Sequence, residues 1–161
     1  MNRLFRKFSR KIKFSIAASI VSSISILGIA FIGKELAFEK LIQILFPIVF
    51  WLGTIIEQIM IWTANSIRTK LEAEGKLRRI RGRPGALSIL QTDEGAITDI
   101  IMVLLIIVFV ILLLFDFGKG LIQYLFISFL VLTFRLHCIF NGKNFRYQKY
   151  LAKRSRHYED Y

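Results

Sequence analysis

The chain has few of the residues that build most metal and enzyme sites, with one cysteine and two histidines among 161 residues. The single Cys138 excludes an intramolecular disulfide. His137 and the distant His157 do not form a metal set, because a structural zinc site needs a full tetrahedral group of ligands at characteristic spacings. We therefore expect no metal site and no cofactor, and we interpret Cys138 as a buried thiol near a helix end.

Catalytic motifs are also missing from the sequence. There is no H-E-x-x-H, no G-x-S-x-G and no Gly-rich phosphate loop. The run 81–85, Arg-Gly-Arg-Pro-Gly, contains glycines but lacks the Lys-Ser/Thr pair of a phosphate loop, and it predicts a basic turn. The sequence predicts no catalytic residue and no enzyme.

Acidic residues are scarce, with 11 Asp and Glu against 23 Lys and Arg, so that the net charge is +12. Such a charge can indicate nucleic-acid binding, but no basic groove with interleaved aromatic residues is visible. Membrane topology explains the charge more simply, since cytoplasmic basic residues are attracted to anionic lipid headgroups. We expect lipid headgroups as partners and argue against nucleic acid.

What the sequence has in abundance is long apolar segments, with 55% hydrophobic residues overall. Four segments are each about 20 residues long, which is the length that crosses a bilayer as a helix. The sequence therefore predicts an all-α, four-span membrane protein made of two helical hairpins in one membrane domain, 1–161. The predicted spans are 14–32, 41–64, 96–117 and 121–140.

The basic residues predict the orientation of these spans. Nineteen of the 23 Lys and Arg residues lie in three blocks, at 3–13, 68–83 and 143–156, and the two short connections between spans hold only Lys34, Lys40 and Lys119. Cytoplasmic loops carry the excess of Lys and Arg. We predict that both termini, the loop 65–95 with a basic extension of helix 2, and the tail 141–161 are cytoplasmic, and that the protein lies in the inner (plasma) membrane.

The N-terminal residues 2–13 place Leu4, Phe5, Phe8 and Ile12 on one helical face, away from most of the charges. This pattern is typical of an amphipathic helix that lies at the membrane interface. A basic topology anchor with incidental aromatic residues explains it equally well.

Span 1 carries serines at helical spacing, with small residues beside them. Small residues let helix backbones approach closely, and serine can hydrogen-bond across the contact. We predict that span 1 is the buried helix; a polar stripe that lines a water path is the alternative.

Span 3, in contrast, is apolar on every side, and we expect it to face lipid. The packing residues are expected in span 1. The predicted packing serines are Ser15, Ser19, Ser22 and Ser25.

Two charged residues lie inside predicted spans, Glu57 in span 2 and Arg135 in span 4, at comparable depth. A charge inside the bilayer is costly unless it is paired or neutralised, and it is a functional hypothesis by default. Three hypotheses stay open: a structural Glu57–Arg135 pair, an Arg135 that snorkels while Glu57 contacts another subunit, or a Glu57 that conducts protons or ions. Asp99 and Asp116 lie near span ends, and we expect both to be solvated.

These features predict a non-enzymatic subunit of a larger membrane complex, of the transport or secretion kind. The protein then binds other membrane subunits, as a homo- or hetero-oligomer. Two alternatives remain at this point: a self-assembling pore or lysis protein of the holin type, and an immunity-type protein that acts against a pore-forming toxin.

Overall fold

A computed structural model describes residues 3–35, 39–76, 85–114 and 121–159. These residues form five α-helices and one short 3-10 turn at Gly85–Leu87, and the described ranges contain no strand. The all-helical prediction is confirmed. The helices are α1 (Arg3–Glu35), α2 (Glu39–Ala73), α3 (Asp93–Leu114), α4 (Leu121–Phe140) and α5 (Lys143–Glu159).

Three of these helices, α1, α2 and α3, are long and apolar enough to cross a membrane. A fourth crossing is available if α4 and α5 count as one broken span, because the segments 125–140 and 143–152 are bent by 60° at the break between them. The length and composition of these helices are therefore those of a membrane protein, because a helix of about 20 apolar residues spans the hydrocarbon core of a bilayer. Asp116, Lys119 and most of the loop around Arg79 lie outside the described residues.

Helix α1 is the centre of the bundle. It packs along α2 on one side and against α4 on the other, whereas α3 packs on α4. In the apolar part of α1 33% of the residues are buried, against 11% in α3. The small side chains of α1 permit this close packing, and the bulky apolar residues of α3 are mostly exposed, as suits contact with lipid.

An apolar core lies at the end of the bundle that carries the N-terminus of α1 and the start of α5. Phe8 and Tyr147 are fully buried there, and Leu71 is 3% exposed. The apolar face of the N-terminal segment therefore packs against the end of α2 and against α5. Of the two interpretations of this segment, the interfacial helix does not fit the structure, because apolar residues of the protein itself cover this face.

Helix α2 continues past its apolar part, as predicted, and it ends at Ala73. Gly75 has a φ of 66°. Its N–H donates to the carbonyl of Glu72, and the N–H of Lys76 donates to the carbonyl of Leu71. This is a Schellman cap, which requires a left-handed residue and so favours glycine.

The basic tail also contains structure that the sequence analysis did not predict. Helix α5 begins at Lys143 after a short break at Asn141 and Gly142. Its apolar residues, Phe145 and Tyr147 among them, pack on the core at this end of the bundle. Tyr147 is therefore a core residue.

Candidate functional site

The first polar site is an ion pair between α2 and α4. Arg135 Nε lies 3.6 Å from Glu57 Oε2, and the two residues are 5% and 2% exposed. The structure thus brings together the two charged residues that the sequence singled out. Because α2 and α4 both pack on α1 and hardly touch each other, the length of the arginine side chain makes the contact possible.

The remaining donors of the guanidinium group also have partners. Nη1 donates to Ser22 Oγ, and Nη2 donates to the carbonyl of Phe50 at 2.9 Å and to Thr54 Oγ1. The guanidinium carbon lies 5.1 Å from the centroid of the Phe50 ring, within cation–π range. Ser19 Oγ donates to Glu57 Oε2 at 2.9 Å. We call this group the Glu57–Arg135 cluster: Ser19, Ser22, Phe50, Thr54, Glu57 and Arg135.

Gly53 makes this geometry possible. A Cβ added at Gly53 would collide with the side chain of Ser22 and would lie 3.1 Å from Arg135 Nη1. The absence of a side chain lets α1 approach α2 at this level and leaves room for the guanidinium group. The sequence analysis missed Gly53, although a glycine one turn before an intramembrane acid is a visible signal.

The predicted packing serines divide into two groups. Ser15, Ser19 and Ser22 are all buried, at 1%, 0% and 5% exposed. Ser25 lies off this face, is half-exposed and donates to the carbonyl of Val21 on its own helix. At 3.6 residues per turn the buried face passes from Ser22 to Ile26, which is fully buried.

A second polar site lies where the start of α3 meets the end of α4, and the sequence analysis missed it. His137 Nδ1 donates to Asp99 Oδ1 at 2.6 Å, and Asn141 Nδ2 donates to the same oxygen at 3.0 Å. The N–H of Leu90 donates to Asp99 Oδ2 at 2.9 Å. Asp99 is 7% exposed, so the expectation that it is a solvated boundary residue is wrong. We call Asp99, His137 and Asn141 the Asp99 cluster.

The Asp99 cluster anchors the loop before α3. Asn141 Oδ1 accepts a hydrogen bond from the N–H of Gln91 at 2.9 Å, and Leu90 adopts a left-handed φ of 54° that leucine rarely takes. Thr92 Oγ1 accepts from the N–H of Gly95 at 3.0 Å, so Thr92 is the N-cap of α3. A signal was present in the sequence, since His137 and Asn141 are four residues apart and share a helical face.

Helix α5 adds a charged contact to the same region. Lys149 Nζ lies 3.1 Å from Asp93 Oδ2 and 2.5 Å from Glu94 Oε2. The hydrogen bond that Lys149 donates to Glu94, with a further one to Asp93, raises the pKa of Lys149 above its usual value. The two acids also lie in the first turn of α3, where negative charge is favourable.

Most polar groups of the two polar sites have hydrogen-bond partners within the protein. In the Asp99 cluster, His137 Nδ1 faces Asp99 and Nε2 lies 3.4 Å from the carbonyl of Ala86. Within the described residues no three His, Cys, Asp or Glu side chains group as metal ligands. The contacts of the two sites join α1, α2 and α4, and they join the loop before α3 to α4.

Comparison of the chain with protein-family models, with curated proteins and with solved structures finds no match.

Proposed function

We propose that the protein crosses the plasma (inner) membrane four times, with both termini in the cytoplasm. The support is twofold. The start of α1, the end of α2, the start of α3 and the end of α4 all meet at one end of the bundle, through Phe8, Leu71, Asp99 and Asn141. The described parts of the three basic blocks, at 3–13, 68–76 and 143–156, belong to this same end, and basic residues mark the cytoplasmic side.

With this topology, the protein acts as a non-enzymatic subunit of a larger membrane complex of the transport or secretion kind. The main support for this proposal is that the charged groups of Glu57 and Arg135 find all their partners within the same protomer. Glu57 contacts Ser19 and Arg135, and the arginine has a partner for each of its nitrogens. Transporters and pores instead keep polar groups open to a path or a substrate.

A pore formed by copies of this chain has less support. Glu57 would have to line the space between protomers, but it is 2% exposed within one protomer. The faces that remain outward on α2 and α3 carry large apolar side chains, such as Ile55, Trp62 and Val103. Those faces suit lipid or another apolar helix, because neither needs polar partners there.

The test is to purify the tagged protein from its native membrane in a mild detergent and to determine the mass of the particle and the chains in it. We expect a second, different chain in a fixed ratio. A second arm places the purified protein alone in liposomes and measures ion flux. A homo-oligomer that conducts ions, with flux that Glu57→Gln abolishes, would overturn the proposal in favour of a pore.

A further inference from the structure

A cavity lies beside the break between α4 and α5. Its volume is about 390 Å³, and it is bounded by α1, by the second half of α2, by the 3-10 turn and by the first residues of α5. Ligand cavities in proteins commonly occupy about 300 to 1,000 Å³. The cavity is separate from both polar sites, and neither of them uses the side chains discussed next.

The cavity has one polar and basic wall. Arg68 of α2 and Lys143 of α5 supply two positive charges, with Asn65 and Asn144 beside them. No acidic residue is among the described residues that line it. The guanidinium carbon of Arg68 lies 5.8 Å from the centroid of the Tyr147 ring, so the ring supports the arginine in place.

Two buried polar atoms on this wall lack a hydrogen-bond partner. They are Arg68 Nε, a donor, and Asn144 Oδ1, an acceptor. Arg68 Nε lies 3.7 Å from Glu72 Oε1, which is longer than a hydrogen bond. A buried polar atom without a partner costs free energy, and an anionic group with a neighbouring hydroxyl would supply both atoms with partners.

The lining also has an apolar part, which includes Ile12, Ile61 and Phe145. The cavity lies at the end of the bundle that carries the basic segments, where α2 leaves its apolar part. Basic pockets between transmembrane helices on the cytoplasmic side bind anionic lipid headgroups. An acyl chain or glycerol backbone would fit the apolar part of the lining while a phosphate meets Arg68 and Lys143.

From these contacts we infer that the cavity binds the phosphate group of a small anionic ligand, held by Arg68 and Lys143, with a ligand hydroxyl donating to Asn144 Oδ1. The phosphate belongs to an anionic phospholipid such as phosphatidylglycerol or to a soluble phosphate ester. This inference goes beyond the proposed function, because the cavity can be filled whether or not a partner subunit is bound.

The experiment measures binding to the purified protein in neutral detergent with three probes: dioctanoyl phosphatidylglycerol, dioctanoyl phosphatidylcholine and glycerol 3-phosphate. We expect saturable binding of an anionic probe and at least about tenfold weaker binding of phosphatidylcholine. Saturation by the lipid alone assigns the phosphate to a lipid, and saturation by glycerol 3-phosphate assigns it to a soluble ester. Equal binding of the two lipids, or no saturable binding, overturns the inference.

Variants of the residues that line the cavity test whether the ligand binds there. Lys143→Gln and Arg68→Gln should each weaken binding of the anionic probe by about tenfold, whereas Lys70→Gln, an exposed charge on the same helix, should change it by less than about twofold. An equal loss in Lys70→Gln would overturn the assignment, since it would show attraction by surface charge alone. Circular dichroism and elution volume verify the fold of each variant, and Lys143→Gln, at the first residue of α5, keeps the test valid if Arg68→Gln misfolds.

The sole cysteine gives an independent readout, because Cys138 also lines the cavity. Alkylation of Cys138 by a small maleimide should slow when phosphatidylglycerol is bound and should be unaffected by it in Lys143→Gln. If the saturating probe leaves the rate of alkylation unchanged, the ligand binds elsewhere and the inference is overturned.

Discussion

At the scale of single residues, the feature that most determines this bundle is that Arg135 of α4 contacts both α1 and α2. Its guanidinium group contacts Ser22 on α1, Phe50 and Thr54 on α2, and Glu57 on α2, while its own backbone belongs to α4. A planar group with five donors suits such a position better than a lysine would. The arginine therefore ties α4 to a helix that it hardly touches otherwise.

The first prediction concerns the charge pair. Glu57→Gln and Arg135→Gln should each lower stability by about 3 to 5 kcal/mol, because each leaves one buried charge without its partner. The double variant should lose clearly less than the sum of the two. Thermal unfolding of the purified protein in detergent measures all three, with Gln58→Leu, at the exposed neighbouring position, as the control. Additive losses would show that the two groups do not interact directly.

The second prediction concerns Asp99. Asp99→Asn should lower stability by about 1 to 3 kcal/mol, because an amide cannot accept from His137, Asn141 and Leu90 as a carboxylate does. Asp93→Asn changes the same charge at a side chain that is 95% exposed, and it should cost less than about 1 kcal/mol. Unfolding temperatures of the two variants decide the matter, and equal losses would count against the Asp99 cluster as an anchor.

At the scale of elements, α1 is the helix that organises the others. Ser19 and Ser22 contact α2 and α4, and the hydroxyl groups of Ser15, Ser19 and Ser22 also bond to carbonyls one turn earlier in α1. Helix association inside a bilayer depends on close backbone approach, since burial of apolar area offers little gain there. Small side chains in the contact face of α1 therefore stabilise the helix packing more than large apolar side chains would.

The third prediction compares two glycines. Gly53→Ala should disrupt the contact between α1 and α2, because its Cβ would collide with Ser22, and we expect a loss of about 1 to 3 kcal/mol. Gly28→Ala meets nothing within 4 Å and should be neutral or stabilise α1 by about 0.5 to 1 kcal/mol. The yield of monodisperse protein and its unfolding temperature measure both; a tolerated Gly53→Ala would refute the close approach.

The fourth prediction compares two serines on α1. Ser22→Leu should strongly reduce the yield of folded protein, because it separates α1 from α2 and removes a partner of Arg135. Ser25→Leu, at a half-exposed position, should be tolerated, as should Val108→Leu on the exposed face of α3. Elution profiles in detergent compare the three, and a similar loss in Ser22→Leu and Ser25→Leu would show that orientation on the helix does not matter.

At the scale of the whole molecule, the structure gathers charge and apolar packing at one end of the bundle. The core around Phe8 and Tyr147, the Asp99 cluster and the Lys149 contacts with Asp93 and Glu94 all lie there. That end holds the N-terminal segment, the end of α2 and α5 together as a compact cap. The proposed topology places this cap on the cytoplasmic side.

The fifth prediction tests that topology. Single cysteines at positions 34, 79, 119 and 155, in a Cys138→Ala background, should fall into two classes toward a membrane-impermeant maleimide. Positions 79 and 155 should react only from the cytoplasmic side, and positions 34 and 119 only from the opposite side, as the distribution of basic residues requires. Labelling of positions 34 and 79 from one side would contradict four crossings.

Local properties of the sequence were sufficient to predict the four apolar helices, because apolar runs of membrane-spanning length can satisfy their backbone groups only as helices. They also pointed to Glu57 and Arg135, since charges stand out in such runs. Tertiary structure alone decided that Ser19, Ser22 and Gly53 surround this pair, that Asp99 is buried against His137 and Asn141, and that the basic tail folds back as α5. Those contacts join residues from 38 to 113 positions apart, and the rotation and tilt of each helix, which no local pattern determines, bring them together.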